Sequence, residues 1–88
     1  MKEFYSKNDP QAGEKFEKWR QSHKRAYVIN YGGPSNARLH FAGCDHFIFY
    51  IDVDLAAKRK ICFLDQQALK KWLHGKSIKL DRCNSCKS

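Results

Sequence analysis

No apolar run in these 88 residues approaches the ~18 consecutive residues of a membrane span. The opening segment, Met1-Lys2-Glu3-Phe4-Tyr5-Ser6-Lys7-Asn8, also lacks the hydrophobic stretch of a secretory signal. Both shortages point to a cytoplasmic protein, where the glutathione pool keeps thiols reduced. Carboxylates are scarce as well, nine against seventeen Lys and Arg, which leaves a formal charge of +8. The imbalance is even along the chain, with eight cations against four carboxylates in residues 1–44 and nine against five in 45–88. The excess therefore belongs to the whole surface and favours a polyanionic partner: nucleic acid, an acidic protein face or an anionic membrane. Repeats, low-complexity tracts and a dividing linker are all missing, so 1–88 reads as a single domain with a polar, flexible segment over 1–9.

A chain this short hides only about two-thirds of its unfolded surface, so its core needs help from a staple such as a metal. What it does have is aromatic area: 14% Phe, Trp and Tyr within an apolar content of 42%, too apolar for disorder. Asp9-Pro10 predicts a helix start, with a helix over Pro10–His23 that buries Phe16 and Trp19 and pairs Glu14 with Lys18 on its outer side. Ala26–Tyr31 and Ala37–Phe41 read as strands joined by the turn Gly32-Gly33-Pro34-Ser35-Asn36. Alternation places Arg38 and His40 on one face of the second strand, away from Leu39 and Phe41 and so away from the apolar side. His46–Ile51 is the most β-prone run and predicts a central strand, and Lys58–Leu64 predicts another extended piece. Asp65 is an N-cap for a second helix to His74, stopped by Gly75, with Leu69, Trp72 and Leu73 buried and Gln66, Gln67, Lys70, Lys71 and His74 outside. Ser77–Leu80 predicts a short edge strand. The fold class that follows is α+β, a small, mostly antiparallel sheet with two helices.

Four cysteines in a reducing setting read as metal ligands or redox groups before disulfides. Zinc takes four Cys or His ligands in a closed tetrahedron. Cys83-x2-Cys86 supplies two thiolates from one turn of backbone, and His40-x3-Cys44 supplies the other pair from a strand end and the reversal after it. The preferred Zn2+ site is thus His40, Cys44, Cys83 and Cys86, closing the sheet at one end, with His46 the alternative to His40. Cys62 lies in an apolar run and reads as a buried thiol. A thiol pair or disulfide at Cys83 and Cys86 is the competing possibility. A redox role is weaker, because thioredoxin-like motifs open a helix inside a βαβ unit.

The stretch from Tyr27 to Cys86 contains Val28-Ile29-Asn30, Leu39-His40-x3-Cys44, Lys60-Ile61-Cys62, Ala68-Leu69-x2-Trp72 and the terminal Cys-x2-Cys. It resembles small zinc-binding domains of poorly characterised bacterial proteins, some associated with restriction or DNA-modification systems. The resemblance implies a metal role for His40, Cys44, Cys83 and Cys86 and implies no activity. Phe41 departs from the arginine associated with the position after the histidine.

A four-ligand site leaves no open position for water, so no catalytic residue is assigned. Asp45, His46, Asp52 and Asp54 give only weak grounds for a nuclease-like cluster. Phosphate contacts are assigned to Arg38, Lys58, Arg59, Lys60, Lys70, Lys71, Lys76 and Lys79, joined by Arg82, as one continuous basic surface. Tyr27, Tyr31, Phe49 and Tyr50 are candidate stacking groups. The expected function is a non-catalytic zinc module that binds DNA or RNA, as an accessory or regulator of a DNA-handling system. The alternative is a protein-interaction module or small inhibitor of an acidic partner.

Overall fold

The computed structural model describes residues 1–44, 47 and 55–83. Strand β1 (Lys2–Phe4) is followed by helix α1 (Ala12–Ser22), strands β2 (Tyr27–Tyr31), β3 (Ala37–Phe41) and β4 (Arg59–Phe63), helix α2 (Gln66–Leu73) and strand β5 (Leu80–Arg82). Among the described residues one five-stranded sheet runs in the order β1-β4-β2-β3-β5. Its pairings are antiparallel except for β3 with β5, which run parallel. The architecture is α+β, as the alternation of short strands and two amphipathic helices implies. The strand expected over His46–Ile51 lies outside the described residues.

The hairpin follows from its turn chemistry. Gly32 N–H donates to Asn36 C=O at 2.7 Å and Asn36 N–H returns to Gly33 C=O at 3.0 Å. Gly33 adopts φ +138, a region that L side chains rarely occupy. The turn sets Val28 opposite His40 and Ile29 opposite Leu39, and β4 then adds Cys62 beside Val28 and Ile61 beside Ile29. Because side chains alternate across a strand, Val28, His40 and Cys62 share one face, and Ile29, Leu39 and Ile61 share the other.

Both faces are covered. On one, Phe4, Ala12, Phe16, Val28, Phe47 and Cys62 form an aromatic-rich cluster under α1. On the other, Ile29, Leu39, Ile61, Phe63 and Leu69 pack under α2. The α1 layer corrects the expectation for His40: it does share a face with Arg38, yet it is only 4% exposed. The face supposed to be outside is roofed at that end by Phe16 and Phe47, whereas Arg38, two positions away, stays in solvent.

α2 starts as its sequence predicts, with Asp65 Oδ1 accepting from Ala68 N–H at 2.8 Å and Gly75 in the left-handed region after its end. α1 starts later than Asp9-Pro10 suggests. Asp9 instead closes a turn, accepting from Gln11 N–H at 2.9 Å and from Lys15 Nζ at 2.6 Å, and helical hydrogen bonding begins at Ala12. The outer pairing differs too: Glu17 holds Arg20 through a two-bond fork at 2.6 and 2.7 Å. Arg20 is buried, its guanidinium 5.8 Å from the Phe47 ring centroid.

The opening residues, expected to be flexible, contain β1, whose pairing with β4 places Phe4 in the core. Glu3 ties the two strands by accepting from Arg59 Nε at 2.8 Å and from a terminal nitrogen at 2.9 Å. That hydrogen bond holds the Glu3 carboxyl below its ordinary value of 4.5, with burial opposing. A depressed carboxylate stabilises the fold above its unfolded pKa and stops doing so as pH falls through the lowered value. Thermal midpoints measured from about pH 6 down to about pH 3 should therefore fall less steeply in Glu3→Gln than in the parent chain.

Candidate metal centre

Three of the four proposed ligands come together where β3 ends. His40 is the fourth residue of β3 and faces α1. After it, the chain reverses through Ala42 and Gly43, whose N–H groups donate to Ala26 C=O at 2.8 Å and Lys24 C=O at 2.9 Å. A Cβ on Gly43 would sit 3.0 Å from Lys24 Cβ and 3.2 Å from its carbonyl oxygen, so the close stitch favours glycine. The reversal ends with Cys44 N–H donating to Phe41 C=O at 3.0 Å, which turns the thiol back under the sheet.

Cys83 arrives from the far end of the chain through the parallel strand. Leu39 pairs with Arg82, and Cys83 N–H donates to Leu39 C=O at 2.9 Å. The next register position thus sets Cys83 beside His40. Relative exposures are 4% for His40, 1% for Cys44 and 2% for Cys83. Their ligand atoms all lie within 4.8 Å of one another, and the two sulfurs are 3.8 Å apart.

These separations suit one tetrahedral ion. Two sulfurs at about 2.3 Å from zinc stand about 3.8 Å apart, and a sulfur and an imidazole nitrogen about 3.6 Å. No ligand pair exceeds that edge by more than about 1 Å. A disulfide needs sulfurs about 2.05 Å apart, and none joins the described cysteines. Two packed thiols would also sit near 3.8 Å; the buried imidazole in the same small volume is what gives the set its metal-ligand character. His40, Cys44 and Cys83 could therefore hold a metal ion. Cys86, His46 (the alternative to His40), Asp45, Asp52 and Asp54 lie outside the described residues.

Phe47 forms the wall of the centre. Its ring lies 5.3 Å from the His40 ring and 5.3 Å edge-on from Phe16. Nothing in the sequence singles Phe47 out, since it is one of several aromatics in a β-prone run. Cys62 shares the sheet face but is not part of the cluster. Burial pushes its thiol up to about 12. At neutral pH an alkylating agent should leave Cys62 unlabelled in the folded protein, as mass spectrometry would record; labelling at the rate of an open thiol would mean that β4 opens readily.

The cations assigned to phosphate contacts are distributed differently from expectation. Arg38, Lys58, Lys70, Lys71, Lys76, Lys79 and Arg82 are exposed. Lys60 is 5% exposed, with Nζ donating to Asn30 Oδ1 at 2.9 Å and Lys58 C=O at 3.2 Å, so its charge is spent inside. Arg59 is half-buried and paired with Glu3. Arg38 lies on the α1 side of the sheet with Asp81 as its neighbour in β5, while Lys70 and Lys71 belong to the helix on the opposite side. Strand alternation thus divides these residues between two layers. Tyr27 and Tyr31 are half-buried against the α2 cluster, and Phe49 and Tyr50 lie outside the described residues. Among the described residues no helix is long and apolar enough to cross a membrane.

No protein-family model matches the chain, and neither a curated protein nor a solved structure is similar to it at a significant level. The likeness to bacterial zinc-binding domains rests on its motifs alone.

Proposed function

We propose that this chain is a non-catalytic module whose fold is locked by a structural Zn2+ ion held by His40, Cys44, Cys83 and Cys86, and that it binds nucleic acid. The observation that carries the metal reading is the convergence of one buried imidazole and two buried thiols from β3, its following turn and the end of β5. Such a set is soft enough for zinc, and a fourth thiolate would close the tetrahedron against water, which suits a structural ion. The nucleic-acid reading is supported by the charge of +8 and by exposed lysines at 58, 70, 71, 76 and 79. A role as accessory or regulator of a DNA-handling system follows from the motif resemblance.

Elemental analysis of purified protein tests the first part, with about one zinc per chain expected and loss in Cys83→Ser and in Cys86→Ser. Retention in His40→Ala with loss in His46→Ala would put His46 in place of His40 as the imidazole ligand. The second part is tested by mobility shift with duplex DNA, single-stranded DNA and RNA, beside a pull-down from native lysate. Lys70→Glu with Lys71→Glu should weaken polyanion binding and leave folding intact. Absence of any shift at low salt, with capture of an acidic protein instead, would favour the interaction module.

A further inference from the structure

A groove of about 480 Å³ opens beside the hairpin turn, at the end of the sheet away from the metal centre. Its size falls within the about 300–1,000 Å³ of small-molecule sites. Tyr5, Tyr31, Lys58 and Arg59 line it, the last two bringing positive charge, and no carboxylate does among the described residues. A neighbouring groove that shares Tyr5 is lined by Lys2 and Lys15 as well as Glu3 and Asp9, so its charges balance and it offers an anion no net attraction.

The walls are held in place. Arg59 is fixed by its fork to Glu3, and its guanidinium lies 5.2 Å from the Tyr31 ring centroid. Trp72 packs nearly perpendicular to Tyr31 from the α2 side, with ring centroids 6.1 Å apart. The remaining wall is the loop backbone. Any Cβ on Gly33 would meet nothing within 4 Å, so the chain there lies open, while Asn36 Nδ2 stands 2.7 Å from where a Cβ of Gly32 would be. Aromatic side chains, an exposed ammonium and accessible backbone together suit a ligand that is planar at one end and anionic at the other.

We propose that this groove is a nucleotide subsite for single-stranded nucleic acid, with a base stacked on Tyr5 or Tyr31 and the adjoining phosphate paired with Lys58. It rests on the nucleic-acid reading above and narrows it to unpaired strands. A duplex keeps its base faces stacked inside, whereas a single strand offers them to tyrosine. Arg59 acts as a positioning residue, since its charge is shared with Glu3.

The test uses the full chain in its metal-loaded form and a fluorescent oligothymidylate, read by anisotropy, with the matching duplex alongside. Tyr5→Leu and Lys58→Gln should each weaken single-strand binding by about fivefold or more, the low end of what loss of one stacking partner costs. Zinc content and circular dichroism should be unchanged. Tyr31 packs on Trp72, so its replacement risks the fold; photocross-linking of an iodouracil-containing strand to the unaltered protein should instead mark Tyr5 or Tyr31. Three results would overturn the assignment: cross-links confined to α2, groove variants that bind like the parent chain, or a duplex bound as tightly as the single strand. In each case nucleic-acid binding itself would stand. If the parent chain binds no strand at low salt, the nucleic-acid reading falls and the subsite falls with it.

Discussion

Stripping the metal with a strong chelator should lower the thermal midpoint by at least about 20 °C. Structural zinc contributes on the order of 10–16 kcal/mol in small peptides, against a total stability of about 5–15 kcal/mol for ordinary domains. Even about 5 kcal/mol corresponds to about 20–40 °C in a domain of 60–100 residues. The loss should not be uniform. β5 joins the sheet through three register pairs to β3, and its place is reinforced where Cys83 meets His40 and Cys44. The α2 cluster of Ile29, Leu39, Ile61, Phe63 and Leu69 contains no ligand, so it keeps its packing longest. Hydrogen exchange should therefore rise first at Leu80–Cys83 and at the turn through Cys44, and last in β2 and β4. Cys83→Ser and His40→Ala should reproduce the chelated state. A chelated protein with an unchanged midpoint and unchanged exchange would sink the structural role of the ion.

Phe47→Ala should damage stability and metal retention together. The ring is 5% exposed and touches Phe16, His40 and Arg20 together. Truncating a buried phenylalanine costs about 3–5 kcal/mol, from lost transfer energy and from the cavity left behind. Here the cavity would open beside the imidazole and admit water to the metal ligands, so zinc should also leave faster to a competing chelator. Phe47→Leu keeps most of the volume and should restore metal retention while recovering only part of the stability. Denaturant unfolding and the rate of zinc transfer to a chromophoric chelator would measure the two effects. Equal zinc-release rates in the parent chain and Phe47→Ala would show that the ring does not guard the site.

Local signals were legible wherever local chemistry decides. The Gly-Gly-Pro turn, the strands around it and the Asp65 cap appear where the sequence places them, because a tight turn and an N-cap are settled within a few residues. The side chains that could hold a metal were legible too, since Cys and His are the usual ligands of closed zinc sites. Other features could not be read in this way. Lys60 looks in sequence like its neighbours Lys58 and Arg59, and only strand alternation and the Asn30 partner across β2 turn it inward. Arg20 looks like any surface helix residue until Glu17 and Phe47 enclose it.

Sequence alone therefore determined the kinds of element present, the charge of +8 and the short list of side chains that could hold a metal. Tertiary structure decided which of them meet. His40 becomes interior because a second layer roofs its face, and Cys83 reaches it because β5 lies parallel to β3 across forty-odd residues of chain. Neither fact is encoded in the spacing of nearby residues, since sheet order and face coverage depend on how distant apolar surfaces are buried together.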